Sequence, residues 1–288
     1  MITKAVIPAA GFGTRFLPAT KSQPKEMLPV VDTPTIQYVV QEAVESGITD
    51  ILMVIGRGKR AIEEHFDRNF ELESELAAKG KNEELESMRR ISSMADIHFV
   101  WQKELNGLGD AIRYAASYVG REPFAVLLGD TIIQSEKPVT RQLMDIFERY
   151  HEPVVALEEV ERDKVGRYGV IDGKTIDDGL YLIRDFVEKP RPEEAPSNLA
   201  IAGRYVFTEE IFDCIAKTKP GKNNEIQLTD AMRLMSRSCA MYGLRFDGKR
   251  HDMGNRLDFL KTNILFALRR ADLGDDLKDF VKRVAADL

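Results

Sequence analysis

A chain of 288 residues with 43% hydrophobic and 31% charged side chains is long enough to bury a sizeable core and has the composition of a globular protein. A formal net charge of −6 and a pI near 5.5 give no overall attraction to a polyanion, and no concentrated basic face interrupts that balance, so nucleic acid is not an expected partner. The two cysteines, Cys214 and Cys239, lack CxxC or Cys/His spacing, which argues against a disulfide framework and a zinc cluster and for a reducing compartment. The first apolar run is too short for a signal-peptide core, and no later run approaches the roughly 18 residues of a membrane span. The expectation is a cytoplasmic protein with no membrane partner.

In chain order, the β-branched run KAVIPA, the amphipathic TIQYVVQEAVESG, the strand-like DILMVIG and the helical KRAIEEHFDRNF alternate as parallel strands and helical crossovers do. Glu71 to Arg90 is rich in helix formers and reads as exposed helix inserted before the next strand. DIHFVWQ resumes as a strand, GDAIRYAASYVG as a helix ending in glycine, and PFAVLLGD as an apolar strand buried on both faces, hence central. After Lys137 come a helix, the strand PVVALEEV, and then YGVIDG and LYLIRDFVEKP around a turn, which predicts an antiparallel hairpin added to the parallel core. LAIAGRYVF is another strand. From Arg256 the sequence is helical, and LDFLKTNILFALRR is apolar around more than one face, as in a helix that covers a core on one side and a partner subunit on the other.

The chemistry begins at Gly11-Phe12-Gly13, directly after the first strand. A dinucleotide fingerprint needs a third glycine at the sixth position and an immediate helix. Phe16 occupies that position, and Pro18, Pro24 and Pro29 interrupt any long helix. No Gly-Lys-Ser or Gly-Lys-Thr follows to make a Walker A loop. What remains is a long ordered loop carrying Gly11, Gly13, Thr14, Arg15, Lys21 and Lys25, where glycines let backbone N–H groups approach a ligand and the cations face phosphate oxygens. A plain tight turn with solvated cations is the alternative for the Gly-x-Gly alone. Further on, LLGD places Asp130 at the C-terminal edge of a sheet, where open α/β folds bind ligands and a carboxylate can hold Mg²⁺. A Gly-Asp turn residue is the competing reading.

The whole string AAGFGTRFLPATKSQPKEMLPV resembles the signature of the sugar-1-phosphate nucleotidyltransferases, and its PKEMLPV ending is similar to that of the bacterial UTP–glucose-1-phosphate uridylyltransferases. GLGDAI, LLGD, RYGVI, VEKP, AGRYVF, NNEIQLTDAM and HDMGN follow in that family's order, from Ala9 to Asn255. Ser22-Gln23 departs from the more usual Ala-Ile.

The resemblance implies a Rossmann-like three-layer α/β fold with a mixed, mainly parallel central sheet, an antiparallel hairpin element and C-terminal helices. A catalytic domain would span residues 1–255, its nucleotide half about 1–135 and its sugar-phosphate half about 136–255, with 256–288 as a helical segment and possible oligomer contact. It further implies that Ala9, Ala10, Gly11, Gly13, Thr14, Glu26, Gln102 and Gly107 bind the nucleotide. Gly169, Glu188, Lys189 and Gly203 would bind the sugar phosphate, Arg15, Lys25 and Lys189 would be catalytic, and Asp130 with Asp252 would hold Mg²⁺. The implied substrates are UTP and glucose 1-phosphate, and the assembly a homo-oligomer, dimer or tetramer. Glucose-1-phosphate thymidylyltransferase and a non-catalytic nucleotide-sugar regulator are the alternatives.

Overall fold

The computed structural model describes residues 1–287. The first strand, β1 (Lys4–Ala9), runs into a loop of three short 3-10 turns at Thr14–Phe16, Ala19–Lys21 and Lys25–Met27, each entered next to a glycine or proline that forbids a continuous helix. A small hairpin, β2 (Pro29–Val30) and β3 (Thr33–Pro34), leads into α1 (Thr35–Glu45) and β4 (Asp50–Ile55). Helix α2 (Arg60–Phe66) follows, and the expected inserted helix is two pieces, α3 (Phe70–Ala78) and α4 (Asn82–Ser92), because Gly80, at φ +68°, breaks the run between them. Then come β5 (Asp96–Trp101), α5 (Leu108–Arg113), α6 (Ala116–Val119), β6 (Phe124–Leu127), β7 (Thr131–Gln134), α7 (Val139–Tyr150) and β8 (Val154–Glu159). The hairpin is β9 (Gly169–Asp177) and β10 (Leu180–Glu188), followed by β11 (Leu199–Phe207), α8 (Glu210–Lys217), α9 (Leu228–Met235), β12 (Tyr242–Arg245), β13 (Lys249–Asp252), α10 (Arg256–Ala267) and α11 (Gly274–Ala286).

One nine-stranded sheet in the order β5-β4-β1-β6-β11-β8-β12-β10-β9 organises the chain. The sheet is mixed as expected, and β11 and β10 run against the other seven strands. Neighbour pairings nevertheless divide evenly between parallel and antiparallel, because β11 is inserted between two parallel blocks and β9 and β10 form an antiparallel hairpin. Strands from before residue 135 lie on one side of the β6–β11 seam, and most of the later strands lie on the other.

Both faces are covered. Ala5, Ile7 and Ala9 of β1 point into a core shared with α1, α2 and α7, whereas Val6 points into a second core with α5, α6, α8 and α9, the period-two alternation of a strand buried on both sides. All four residues of β6 are fully buried, as a central strand requires. Outside the main sheet, β7 and β13 pair as a two-stranded antiparallel ribbon. Helix α10 lays Phe259 and Phe266 against Val30, Ile132 and Met253 but leaves Leu257, Leu260 and Ile264 exposed. No helix among the described residues is long and apolar enough to cross a membrane.

Candidate active site

Strands β1 and β6 are parallel neighbours, so the loops leaving their C-terminal ends open at one edge of the sheet. There, Ala9, Ala10, Gly11, Gly13, Thr14, Glu26, Gln102 and Gly107, the whole set expected on the nucleotide side, border one cavity of 570 Å³ together with Lys25 and Asp130. The glycines have separate reasons. Gly13 sits at φ +66°, and a Cβ there would stand 2.9 Å from Lys25 Cβ, so the loop can fold back and bring Lys25 beside it. Gly107, at φ +101°, would place a Cβ 2.8 Å from Glu225 Cβ, so the GLG segment is a close-packed contact with Glu225–Ile226 and not a flexible connection. The Gly109 N–H donates to Ile226 O at 2.9 Å and the Ile226 N–H to Asn106 O at 2.7 Å, stitching that contact.

Charge is concentrated at the cavity floor. Lys25 Nζ donates to Asp130 Oδ2 at 2.5 Å, and Lys59 Nζ to Glu26 Oε2 at 2.7 Å, the second pair being fully buried. Burial pushes the Asp130 carboxyl up, yet the Lys25 ammonium and its hydrogen bond outweigh it and hold Asp130 below the ordinary carboxylate range. For Lys25, burial pulls downward and is outweighed by Asp130 and Glu26, so its pKa rises. In the deeper pair burial wins on both sides, raising Glu26 and lowering Lys59. Lys59 lies just before α2 in a polar stretch, and nothing in its sequence context marked it as buried.

A second residue that sequence reasoning missed is Arg204, on β11 and wholly inaccessible to solvent. Its guanidinium donates to Thr131 O at 2.8 Å and Leu128 O at 3.5 Å, carbonyls on either side of Asp130, and to Gly203 O at 3.0 Å, and it pairs with Glu42 Oε2 at 2.7 Å. Glu42 in turn accepts from the Thr140 hydroxyl at 2.7 Å and the Thr140 N–H at 3.1 Å. The pair is a clamp on the loop that carries Asp130. Gly203, expected beside the sugar, has φ +77° and packs against the Leu128 side chain, which gives it a backbone role in the same clamp.

The remaining charged candidates gather elsewhere. Arg15, Lys189 and Asp252 border a neighbouring cavity of 670 Å³ with Lys164, Arg167 and Lys261, three cations the motif reading did not select. Strand β10 ends at Glu188 as expected, and Lys189 takes a positive φ of 47°, unusual for a residue with a side chain. That turn ends the strand's alternation and lets Lys189 Nζ reach Glu188 Oε1 at 2.8 Å, while Thr229 donates to Glu188 Oε2 at 2.7 Å. Gly169, paired with Glu188 across the hairpin, has no room for a Cβ: Ile201 and Thr229 side chains would each stand 2.9 Å away. Neither Glu188, Gly169 nor Gly203 borders either of the two cavities.

Asp130 and Asp252 thus fall in different cavities, but the ribbon brings them together. Asp252 pairs with Thr131 in the β7–β13 register, and the Met253 N–H donates to Asp130 O at 3.1 Å. Tyr168 donates to Asp252 Oδ2 at 3.2 Å and the Gly254 N–H to Oδ1 at 2.7 Å. No group of three or more His, Cys, Asp or Glu ligands exists among the described residues. Two carboxylates and no soft donor make a set suited to a hard divalent cation that completes its shell with water and phosphate. His251, next in sequence, is buried between Thr262 at 3.2 Å and Gln134 at 3.1 Å, a structural histidine.

Known proteins resemble this chain along nearly its whole length. The chain is 51% identical over 283 residues to the UTP–glucose-1-phosphate uridylyltransferase of Staphylococcus epidermidis, covering 98% of both chains. It is 50% identical over 281 residues to the enzyme of the same name from Bacillus subtilis, covering 98% of this chain and 96% of the other. A crystal structure of UDP-glucose pyrophosphorylase complexed with UDP-glucose superposes with a TM-score of 0.87 at 43% identity, over 94% of this chain and 100% of that one. The sequence profile described as nucleotidyl transferase matches residues 4–267, which takes in β1, both cavities and all of α10. Matched over that span, the chain belongs to the nucleotidyl transferase family.

Proposed function

We propose that the chain transfers the uridylyl group of UTP to α-D-glucose 1-phosphate, giving UDP-glucose and pyrophosphate. The observation that carries this reading is a single loop shared by two cavities: Gly13 and Thr14 border the one into which Gln102 faces, and Arg15, the next residue, borders the basic one. A nucleoside fits the first and phosphates the second, so the α-phosphate would lie at their junction.

A sugar phosphate with a second pKa near 6 is mostly a dianion at neutral pH, so the attacking oxygen needs no general base. What the protein must overcome is repulsion between two polyanions, by positioning and by fixed positive charge. Lys189 would hold the incoming phosphate, and Glu188 would accept hydrogen bonds from sugar hydroxyls. Arg15 and Lys25 would neutralise the departing pyrophosphate, and direct in-line attack would invert the α-phosphorus. Asp130 and Asp252 would hold Mg²⁺, which when bound supplies further neutralisation of the phosphates. Ala9, Ala10 and Gly107 would present backbone to the base, and Gly11, with nothing within 4 Å of a notional Cβ, leaves open space above the loop.

The exposed apolar side chains Leu257, Leu260 and Phe280 on the last two helices favour a homo-oligomer, dimer or tetramer, which light scattering at working concentration measures.

Purified protein incubated with Mg²⁺, glucose 1-phosphate and each of UTP, dTTP, CTP, ATP and GTP tests the whole reading by pyrophosphate release. Release is expected with UTP foremost. Preference for dTTP would make the chain a thymidylyltransferase, and silence with every nucleotide would leave a binding protein.

A further inference from the structure

Gln102 carries an amide whose two ends offer opposite chemistry, a donor and an acceptor, and which end faces a ligand is set by what holds the other. Here Gln102 Nε2 donates to Asp110 Oδ2 at 2.9 Å and lies 3.5 Å from Gly107 O, so the nitrogen is turned away to partners that can only accept. Asp110 is 2% exposed in the first turn of α5, and Arg113 Nη2 donates to its other oxygen at 2.6 Å, so the carboxylate is itself held. Gln102 Oε1 accepts no hydrogen bond from the described residues, yet among those residues the one side-chain polar atom sealed from solvent without a partner is the Tyr118 hydroxyl. Gln102 Oε1 therefore opens into the cavity that Gln102 borders.

We infer that Asp110 is the positioning residue for base selection: by locking the amide of Gln102 with its oxygen toward the cavity, it selects bases that present an N–H there and rejects cytosine. Uracil carries a hydrogen on N3 and donates to such an oxygen. Cytosine carries a lone pair on N3, and two acceptors face each other. Rotating the amide to offer N–H to cytosine would turn Oε1 onto the Asp110 carboxylate, again acceptor against acceptor and in a buried place, where an unmade hydrogen bond is most costly. Discrimination thus comes from a carboxylate that touches Gln102 and is absent from the residues bordering the cavity.

This rests on the proposal that the cavity takes a pyrimidine nucleotide, and wild-type activity with UTP tests that separately. In Asp110→Asn, whose amide can donate or accept, Gln102 is free to rotate, and the ratio of kcat/KM for CTP to that for UTP should rise about tenfold or more, since 1.4 kcal/mol of lost discrimination is a factor of ten. Asp110→Ser, with a hydroxyl that also does both, should give the same relaxation and serves if the first variant does not fold. The double variant Gln102→Glu/Asp110→Asn is the decisive control: its side chain at position 102 can only accept, so selection against CTP should return without the carboxylate at position 110. Wild-type protein active with UTP, together with a folded single variant whose CTP-to-UTP ratio is unchanged, overturns the inference. A double variant as relaxed as the single one overturns it equally, because a merely structural role would give that result.

Discussion

The two cavities of the site are built in opposite ways. The cavity at the end of β1 is bordered by one continuous run, residues 8–14, with shorter stretches at Lys25, at Gln102 to Ala111, at Asp130 and at Glu225, and two of its glycines, Gly13 and Gly107, are required by close contacts inside the protein. The basic cavity is lined by side chains from four separate stretches, at Arg15, at Lys164 to Tyr168, at Lys189 and at Asp252 to Lys261. The first is anchored on the single loop that leaves β1. The second exists only once the ribbon register and the turn at Lys189 have assembled it, so distant packing should control it more strongly.

Four substitutions test that contrast, beginning with the largest effect. Asp130→Asn, at the junction, should abolish the response of turnover to added Mg²⁺ while the circular dichroism spectrum stays that of the folded protein. An unchanged Mg²⁺ titration would remove Asp130 from the metal site. Next, Arg204→Met leaves Glu42 buried without its cation and should cost about 3–5 kcal/mol in denaturant unfolding, as broken buried pairs do. A cost below about 1 kcal/mol, the range of surface pairs, would mean that the clamp is not held by charge.

Lys189→Ala should lose roughly 10²–10³-fold in kcat, the loss typical of a removed transition-state donor. A raised KM for glucose 1-phosphate with normal kcat would instead make Lys189 a ground-state ligand and weaken the distinction between the cavities.

The smallest effect is at His251, one residue before Asp252 on β13. Burial, with Lys249 and Arg269 adding to it, lowers its pKa from 6.5 to about 4. The unfolded chain therefore takes up a proton that the folded protein refuses, so this contribution is complete above pH 6.5 and is lost as pH falls toward about 4. His251→Gln should flatten the fall of Tm between those values, on the order of 5 °C. Parallel curves for variant and wild type would show that this group does not set acid stability.

Much of this was legible in the sequence, and unevenly so. The prolines after Gly13 and the sixth-position Phe16 correctly foretold a long loop in place of a helix, and the continuous apolar run before Asp130 foretold a central strand. The alternation around YGVIDG and LYLIRDFVE foretold the hairpin. What could not be read was pairing between distant segments. Nothing in LAIAGRYVF says that it lies antiparallel between two parallel blocks, nor that the arginine inside it is buried, since a lone charge in a strand ordinarily points to solvent. Lys59 was hidden for the same reason, its partner Glu26 being on another element. A continuous hydrophobic strand interrupted by one arginine, with an unpaired glutamate on an apolar helix face such as Glu42 on α1, is the signal that could have found the clamp.

The same clamp enlarges what counts as the active site. Glu42 and Thr140 border neither cavity, yet they secure the arginine whose other bonds fix the backbone on both sides of Asp130. A saturation survey scored by turnover alone would mark these two helix positions as strongly as it marks cavity residues. On a map of tolerated changes, the site's footprint would therefore extend through the sheet to its far layer.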